Sequence, residues 1–304
     1  MYDLVIIGNG PAGISAGIYA VRYGLDTLVL EKNVISGQIA STEIVENYPG
    51  FSSIAGMELM DKFKEHAEEA GVITGDGEVI SIKSNGDKKI ISTDEGEFET
   101  KTIIVATGAN PQHLGIPGEE EFAGRGVSYC ATCDGPFFRG KNIAVIGGGD
   151  TAITDALILS NIASKVYVVH RRDELRSSKV LQDRAFSKNN IEFIFDTVLE
   201  EIVGSDDING SVKKVVLKNV KSGDTKEMAM DGVFIYVGIV PNTDFVDVDK
   251  TEAGFIITND RMETSVEGIY AAGDCRVTPL RQVVTAVSDG AIAAASAHEF
   301  VSRG

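Results

Sequence analysis

Asp3-Leu4-Val5-Ile6-Ile7-Gly8-Asn9-Gly10-Pro11-Ala12-Gly13 aligns with Asn142-Ile143-Ala144-Val145-Ile146-Gly147-Gly148-Gly149-Asp150-Thr151-Ala152 at a constant offset of 139 positions. Each copy opens on a short apolar, β-branched run, the composition of a parallel strand buried on both faces. A glycine turn and a helical stretch follow, Ile14 to Tyr23 in the first copy and Ile153 to Asn161 in the second. A second apolar strand closes each copy, Thr27 to Leu30 and Val166 to Val169. Gly8 and Gly147 permit the tight turn out of the strand. Gly10 and Gly149 let the backbone approach a pyrophosphate at the helix N-terminus, and Asp150 and Thr151, directly after Gly149, are counted with the second nucleotide site. Gly13 and Ala152 keep helix and strand close. One G-x-G-x-x-G is a weak signal; two in register, each inside strand–helix–strand, predict two dinucleotide sites.

The end of the second strand separates those sites. Glu31 lies 18 positions after Gly13, where a carboxylate binds ribose hydroxyls. The position 18 after Ala152 is His170, followed by Arg171, Arg172 and then Arg176. A carboxylate repels a 2′-phosphate, whereas guanidinium groups grip one through charge-assisted hydrogen bonds. The first site therefore suits a dinucleotide without that phosphate, and the second prefers NADPH over NADH.

Fourteen residues before Gly147 ends a vicinal dithiol, Cys130-Ala131-Thr132-Cys133, with Asp134 directly after it. Thiols this close to a nucleotide site point to electrons passing between a cofactor and a disulfide, and the leaving thiolate needs a proton donor such as Asp134. A structural zinc site is the rival reading. It needs further ligands, and only Cys275 and four scattered histidines (His66, His113, His170, His298) are on offer; no metal is expected.

Hydrophobic residues make up 43% of the 304 and charged residues 24%, as in soluble globular proteins. A formal net charge of −17 offers no basic field to nucleic acid. No apolar run is long enough for a membrane span or signal core. Three cysteines are no disulfide framework, so a reducing, cytoplasmic setting is expected. Residues 88–108 and 191–237 alternate as strands, and Gly56 to Ala70 reads as an amphipathic helix with Met57, Met60, Phe63 and Ala67 on its apolar face. Glu119-Glu120-Glu121 and Asp206-Asp207 read as solvated loops. Crossings near 111–118 and 238–243 place the first dinucleotide domain at 1–112 and 242–304, with the second, 113–241, inserted. The helix from about Gln282 to Val301 has no sheet of its own and is expected to complete the first domain.

At these residues the chain resembles the low-molecular-weight thioredoxin reductases, a branch of the flavoprotein pyridine nucleotide-disulfide oxidoreductases. The likeness runs end to end. It rests on Gly8–Gly13 with Glu31, Gly37-Gln38, Glu46-Asn47-Tyr48-Pro49-Gly50, Cys130-Ala131-Thr132-Cys133-Asp134-Gly135, Gly147–Ala152 with His170-Arg171-Arg172, Gly273-Asp274 and Arg281-Gln282. Ser36 and Tyr48 depart from the usual pattern without removing a needed group.

The resemblance implies an α/β chain of two Rossmann-like domains, the FAD domain discontinuous and the NADPH domain inserted. It implies FAD on the first, with Asp274 on the ribityl chain and Gln38, Thr42, Asn47 and Gln282 around the ring and its linker. It implies that Cys133 faces the flavin, Cys130 attacks the disulfide of a thioredoxin-like partner, and Asp134 supplies the proton. A homodimer is implied as well. Because the dithiol belongs to the NADPH half yet must reach the flavin, a domain rotation between half-reactions is expected. Reduction of another redoxin, dithiol oxidation and a non-catalytic NADPH-binding redox sensor are the alternatives.

Overall fold

The computed structural model describes residues 1–32, 38–41, 45–86, 88–205 and 210–303. The chain divides into two compact units, Met1–Asn110 with Val240–Gly304, and Pro111–Ile239. Asp206 and Asp207, together with Ser36, Gly37 and Thr42, lie outside the described residues.

The first unit opens on β1 (Tyr2–Ile7), α1 (Pro11–Arg22) and β2 (Thr27–Glu31), the first copy of the repeat. α1 begins at Pro11, ahead of the predicted Ile14. Proline at the first helical position lacks an N–H that would have no partner there, and its fixed φ suits a helix. α2 (Gly56–Glu69), β3 (Ile73–Asp76), β4 (Val79–Asn85), β5 (Lys88–Thr93) and β6 (Glu97–Val105) follow. β3, β2, β1 and β6 are parallel neighbours in that order; β5 and β4 continue the sheet antiparallel. Leu4, Val5 and Ile6 are fully buried because β1 is central and covered on both faces.

The apolar face of α2 differs from expectation. Gly56, Leu59, Met60 and Ala67 are buried, while Met57 is exposed. Met57 lies about 100° round the helix from Gly56, off the stripe those residues define.

β7 (Ala109–Pro111) is the outward crossing, and the second unit then runs through β8 (Val127–Ser128), α3 (Ala131–Asp134), β9 (Asn142–Ile146), α4 (Asp150–Ser160), β10 (Lys165–Val169), α5 (Lys179–Phe186) and β11 (Ile191–Ile194). β12 (Thr197–Gly204), β13 (Val212–Asn219) and β14 (Thr225–Ala229) form a separate antiparallel sheet. β15 (Gly232–Ile235) then returns to the parallel sheet, whose order is β11-β10-β9-β15-β8. β16 (Ile239–Pro241) is the return crossing.

Back in the first unit, β17 (Ile269–Ala271) joins the C-terminal half of β6, with Ile269 opposite Ile103. α6 (Val283–Arg303) packs along α1. Small residues allow the approach: a Cβ added to Gly290 would meet the Ala12 carbonyl oxygen at 2.1 Å, and Ala293, Ala294 and Ala297 are fully buried.

Candidate active site

The two glycine loops carry an internal comparison. Gly8 has φ +103°, and a Cβ there would stand 2.5 Å from the Ala106 carbonyl oxygen; one on Gly13 would stand 1.8 Å from the Gly8 oxygen. Packing within the protein therefore accounts for both. Gly10 and Gly149 have ordinary φ values of −79° and −90°, and an added Cβ would meet nothing within 4 Å. No protein atom demands glycine at either place. Each caps a helix that has no side-chain cap. Open space before exposed amide groups and a positive helix end fits a pyrophosphate.

Around the first loop, Glu31 Oε2 accepts the Asn9 N–H at 2.9 Å. The turn Gly273–Cys275 sits against α1, since a Cβ on Gly273 would lie 3.1 Å from Ala12 Cβ. Asp274 is thereby held mostly out of water, and burial pushes its carboxyl up to about 6, with Asp289 adding to the rise and Arg281 opposing it. Asn47 Nδ2 donates to Gln282 Oε1 at 2.9 Å, joining two residues 235 positions apart. Gln38 begins the turn Gln38–Ser41, and Thr42 lies outside the described residues. Of the polar groups expected round a flavin dinucleotide, Asn47 and Gln282 are joined directly.

Asp289 was not anticipated. It accepts the Gly273 N–H at 3.1 Å and pairs with Arg276 Nε at 3.2 Å, both side chains largely buried. An aspartate within the alanine-rich run of α6 was its only sequence signal, since a buried carboxylate requires a partner.

In the second unit, the segment after β10 folds over the glycine loop. Arg176 N–H and Ser177 N–H both donate to the Gly148 carbonyl, at 2.8 and 3.1 Å, and Ser178 N–H donates to Asp150 Oδ1 at 2.7 Å. Thr151, like Arg171, Arg172 and Arg176, is exposed. His170 is placed differently from its arginine neighbours. It is buried, its ring fills the space where Gly148 would carry a Cβ, and burial with the neighbouring arginines holds its pKa down. Its Nε2 and the Ser177 hydroxyl are buried without a partner. Exposed arginines on the segment that bonds the Gly148 carbonyl, with unsatisfied polar atoms of His170 and Ser177 buried beside it, suit a phosphorylated nucleotide.

The dithiol stands on the same unit. Cys130 and Cys133 are joined as a disulfide with Cα atoms 5.3 Å apart. Cys130 caps the single turn α3, its sulfur accepting the Cys133 N–H at 3.2 Å. Both cysteines and Asp134 are half-buried. The Ser128 hydroxyl donates to Asp134 Oδ2 at 2.6 Å. Cys275, by contrast, is fully buried in the first unit, burial pushes its thiol up to about 11, and its sulfur donates to the Val105 and Ala272 carbonyls. It belongs to the core.

The solvated-loop reading of Glu119 is overturned. Glu119 is only 1% exposed, and it accepts the Leu114 and Gly115 N–H groups at 3.0 and 2.8 Å and the Tyr129 hydroxyl at 2.9 Å. Its charge is satisfied by orphan amides of the loop after the crossing, which a run of three glutamates did not reveal. Among the described residues no helix is long and apolar enough to cross a membrane, and no three His, Cys, Asp or Glu side chains are grouped to hold a metal.

Two dinucleotide-type glycine loops, with a disulfide heading the second unit, define a class. The chain belongs to the pyridine nucleotide-disulphide oxidoreductase family, whose model matches residues 2–290. Within it the likeness is to thioredoxin reductases. The thioredoxin reductase of Bacillus subtilis is 46% identical over 305 residues, covering 100% of this chain and 96% of the relative. The crystal structure of thioredoxin reductase from Streptococcus pyogenes superposes with a TM-score of 0.93 at 46% identity, covering 100% of this chain and 99% of that one. That of Lactococcus lactis thioredoxin reductase in its FR conformation gives 0.70 at 48% identity, with 100% of both chains covered.

Proposed function

We propose that this protein is an NADPH-dependent reductase of a thioredoxin-type disulfide. Electrons pass from NADPH through FAD to Cys130–Cys133 and on to the partner. The observation that carries the reading is the Cys130–Cys133 disulfide, borne by the unit whose glycine loop is bonded by the segment carrying the exposed Arg171, Arg172 and Arg176. FAD is assigned to Gly8, Gly10, Gly13, Glu31, Gln38, Thr42, Asn47, Asp274 and Gln282. NADPH is assigned to Gly147, Gly149, Asp150, Thr151, Arg171, Arg172 and Arg176, with His170 buttressing the loop from below. The FAD domain is 1–112 with 242–304, and the NADPH domain 113–241.

When bound, the two cofactors supply the reducing electron pair. The residues of the chain do the rest. Two electrons and one proton break the Cys130–Cys133 bond, leaving one thiolate and one thiol, and Asp134 gives that proton. The Cys133 N–H aimed at Cys130 Sγ favours the charged form of that sulfur. Cys130 thiolate attacks one sulfur of the partner's disulfide, and the departing partner thiolate takes up a proton. The Cys133 thiol then gives its proton to the outgoing partner sulfur as it attacks Cys130 in the mixed disulfide, which releases the dithiol partner and restores the internal bond, and Asp134 regains its proton from solvent. Rotation of the units about the crossings lets the dithiol serve both a cofactor and a bulky partner in turn. The resemblance also supports a homodimer working in the cytoplasm.

Turnover of purified holoenzyme with thioredoxin disulfide, supplied with NADPH or NADH, is the test. Efficient turnover with NADPH and poor turnover with NADH is the expected result. Equal use of both, or no reduction of thioredoxin, contradicts the proposal.

A further inference from the structure

We infer that Ser128 is the positioning residue for Asp134, holding that acid in place in both of its protonation states; the inference rests on the proposed role of Asp134. Ser128 ends β8 and is 4% exposed. Its hydroxyl donates to Asp134 Oδ2 at 2.6 Å, and its oxygen accepts the Cys130 N–H at 3.1 Å. The Cys130 carbonyl oxygen lies 3.4 Å from the same hydroxyl. One buried side chain therefore touches the acid and both backbone groups of the first cysteine.

A hydroxyl has one proton to give and two lone pairs to receive. With Asp134 ionised, the serine proton goes to Oδ2 and one lone pair takes the Cys130 amide. With Asp134 protonated, the carboxyl O–H donates to Ser128 Oγ and fills the second lone pair. The serine proton then turns to the Cys130 carbonyl. The same groups serve both states, and no backbone has to move.

The two arrangements are unequal. The 2.6 Å contact to a carboxylate is short and charge-assisted, whereas the 3.4 Å contact to a carbonyl is long. Ser128 thus favours the carboxylate and makes Asp134 a readier donor. When two electrons open the Cys130–Cys133 bond, the proton leaves Asp134 for a sulfur, and the serine proton moves onto the new carboxylate. Besides Cys130 and Cys133, which titrate once their bond is open, two other titratable groups face this region. Tyr236 is held well above the ordinary phenol range by burial and senses Asp134; Asp155 on α4 is raised by burial and accepts a backbone hydrogen bond from Ala131. Ser128 bonds to neither of them, so both form a common background in a comparison of variants.

The test compares native holoenzyme with Ser128→Ala, Ser128→Thr and Asp134→Asn. One readout is the pH dependence of opening of the Cys130–Cys133 bond when the oxidised holoenzyme is mixed with excess NADPH, followed as thiol appearance. The other is the carboxyl stretch in infrared difference spectra, assigned by its loss in Asp134→Asn. Ser128→Ala is expected to raise the pKa of that carboxyl, and the matching limb of the rate profile, by about one unit. Ser128→Thr, which keeps the hydroxyl, should restore the native values. If Asp134→Asn removes the ionisation while Ser128→Ala leaves it unmoved, Asp134 is the acid and the positioning role of Ser128 is refuted. If Asp134→Asn leaves the profile intact, the acid assignment fails, and the role of Ser128 fails with it.

Discussion

Asp289 Oδ2 lies 3.2 Å from Arg276 Nε and accepts the Gly273 N–H at 3.1 Å. One carboxylate of α6 thus fixes the turn that carries Asp274 and neutralises a largely buried guanidinium. Asp289→Ala leaves that guanidinium uncompensated, and its cost to stability in urea denaturation is expected to be about 3–5 kcal/mol. Replacing both partners by apolar residues of similar size, Asp289→Leu with Arg276→Met, should recover most of the loss. A single-variant cost under about 1 kcal/mol would mean that the pair is solvent-screened.

Asp274 sets a pH dependence whose sign follows from its position. Its folded-state value of about 6 exceeds the unfolded 3.8, so the folded apoprotein binds the proton more tightly. The stabilisation is complete below about pH 4 and lost as pH rises through 6, by about 2–3 kcal/mol. Asp274→Asn should flatten this window in denaturation of the apoprotein and raise stability at pH 7.5, while weakening FAD retention. A variant that keeps the native slope between pH 4 and 6 contradicts the assignment.

Arg171, Arg172 and Arg176 are expected to read the 2′-phosphate. Charge-assisted bonds of this kind are each worth about 1.5–3 kcal/mol, so Arg171→Ala or Arg172→Ala should raise KM for NADPH about tenfold or more. KM for NADH should change less than about twofold. Equal losses with both nucleotides would show a structural role only.

How much of this was legible in the sequence depended on whether the cause was local. The 139-residue repeat located both strand–helix–strand units, because strand burial and a glycine turn are written into consecutive residues. Helix starts were read late at Pro11 and Asp150, since the glycine motif masks the first helical turn. Met57 was misplaced for want of a sheet against which to orient α2. Glu119 was misread because its partners are backbone amides and Tyr129, contacts no periodicity announces. Ser128 and Asp289 were missed for the same reason. The glycine loops and the dithiol could be read; the groups that hold them in place are joined only by folding.

The central claim is that Cys130 and Cys133 take electrons from the bound cofactors and pass them on. Anaerobic titration of the holoenzyme with NADPH, followed by the visible flavin band and by thiol counting, tests it most directly. The native protein is expected to accept about twice the electrons per flavin that Cys130→Ser or Cys133→Ser accepts, the extra pair appearing as two thiols. Both variants should still bleach the flavin and fail to reduce thioredoxin. Equal electron uptake by native protein and variants, or thioredoxin reduction without the two cysteines, would contradict the account.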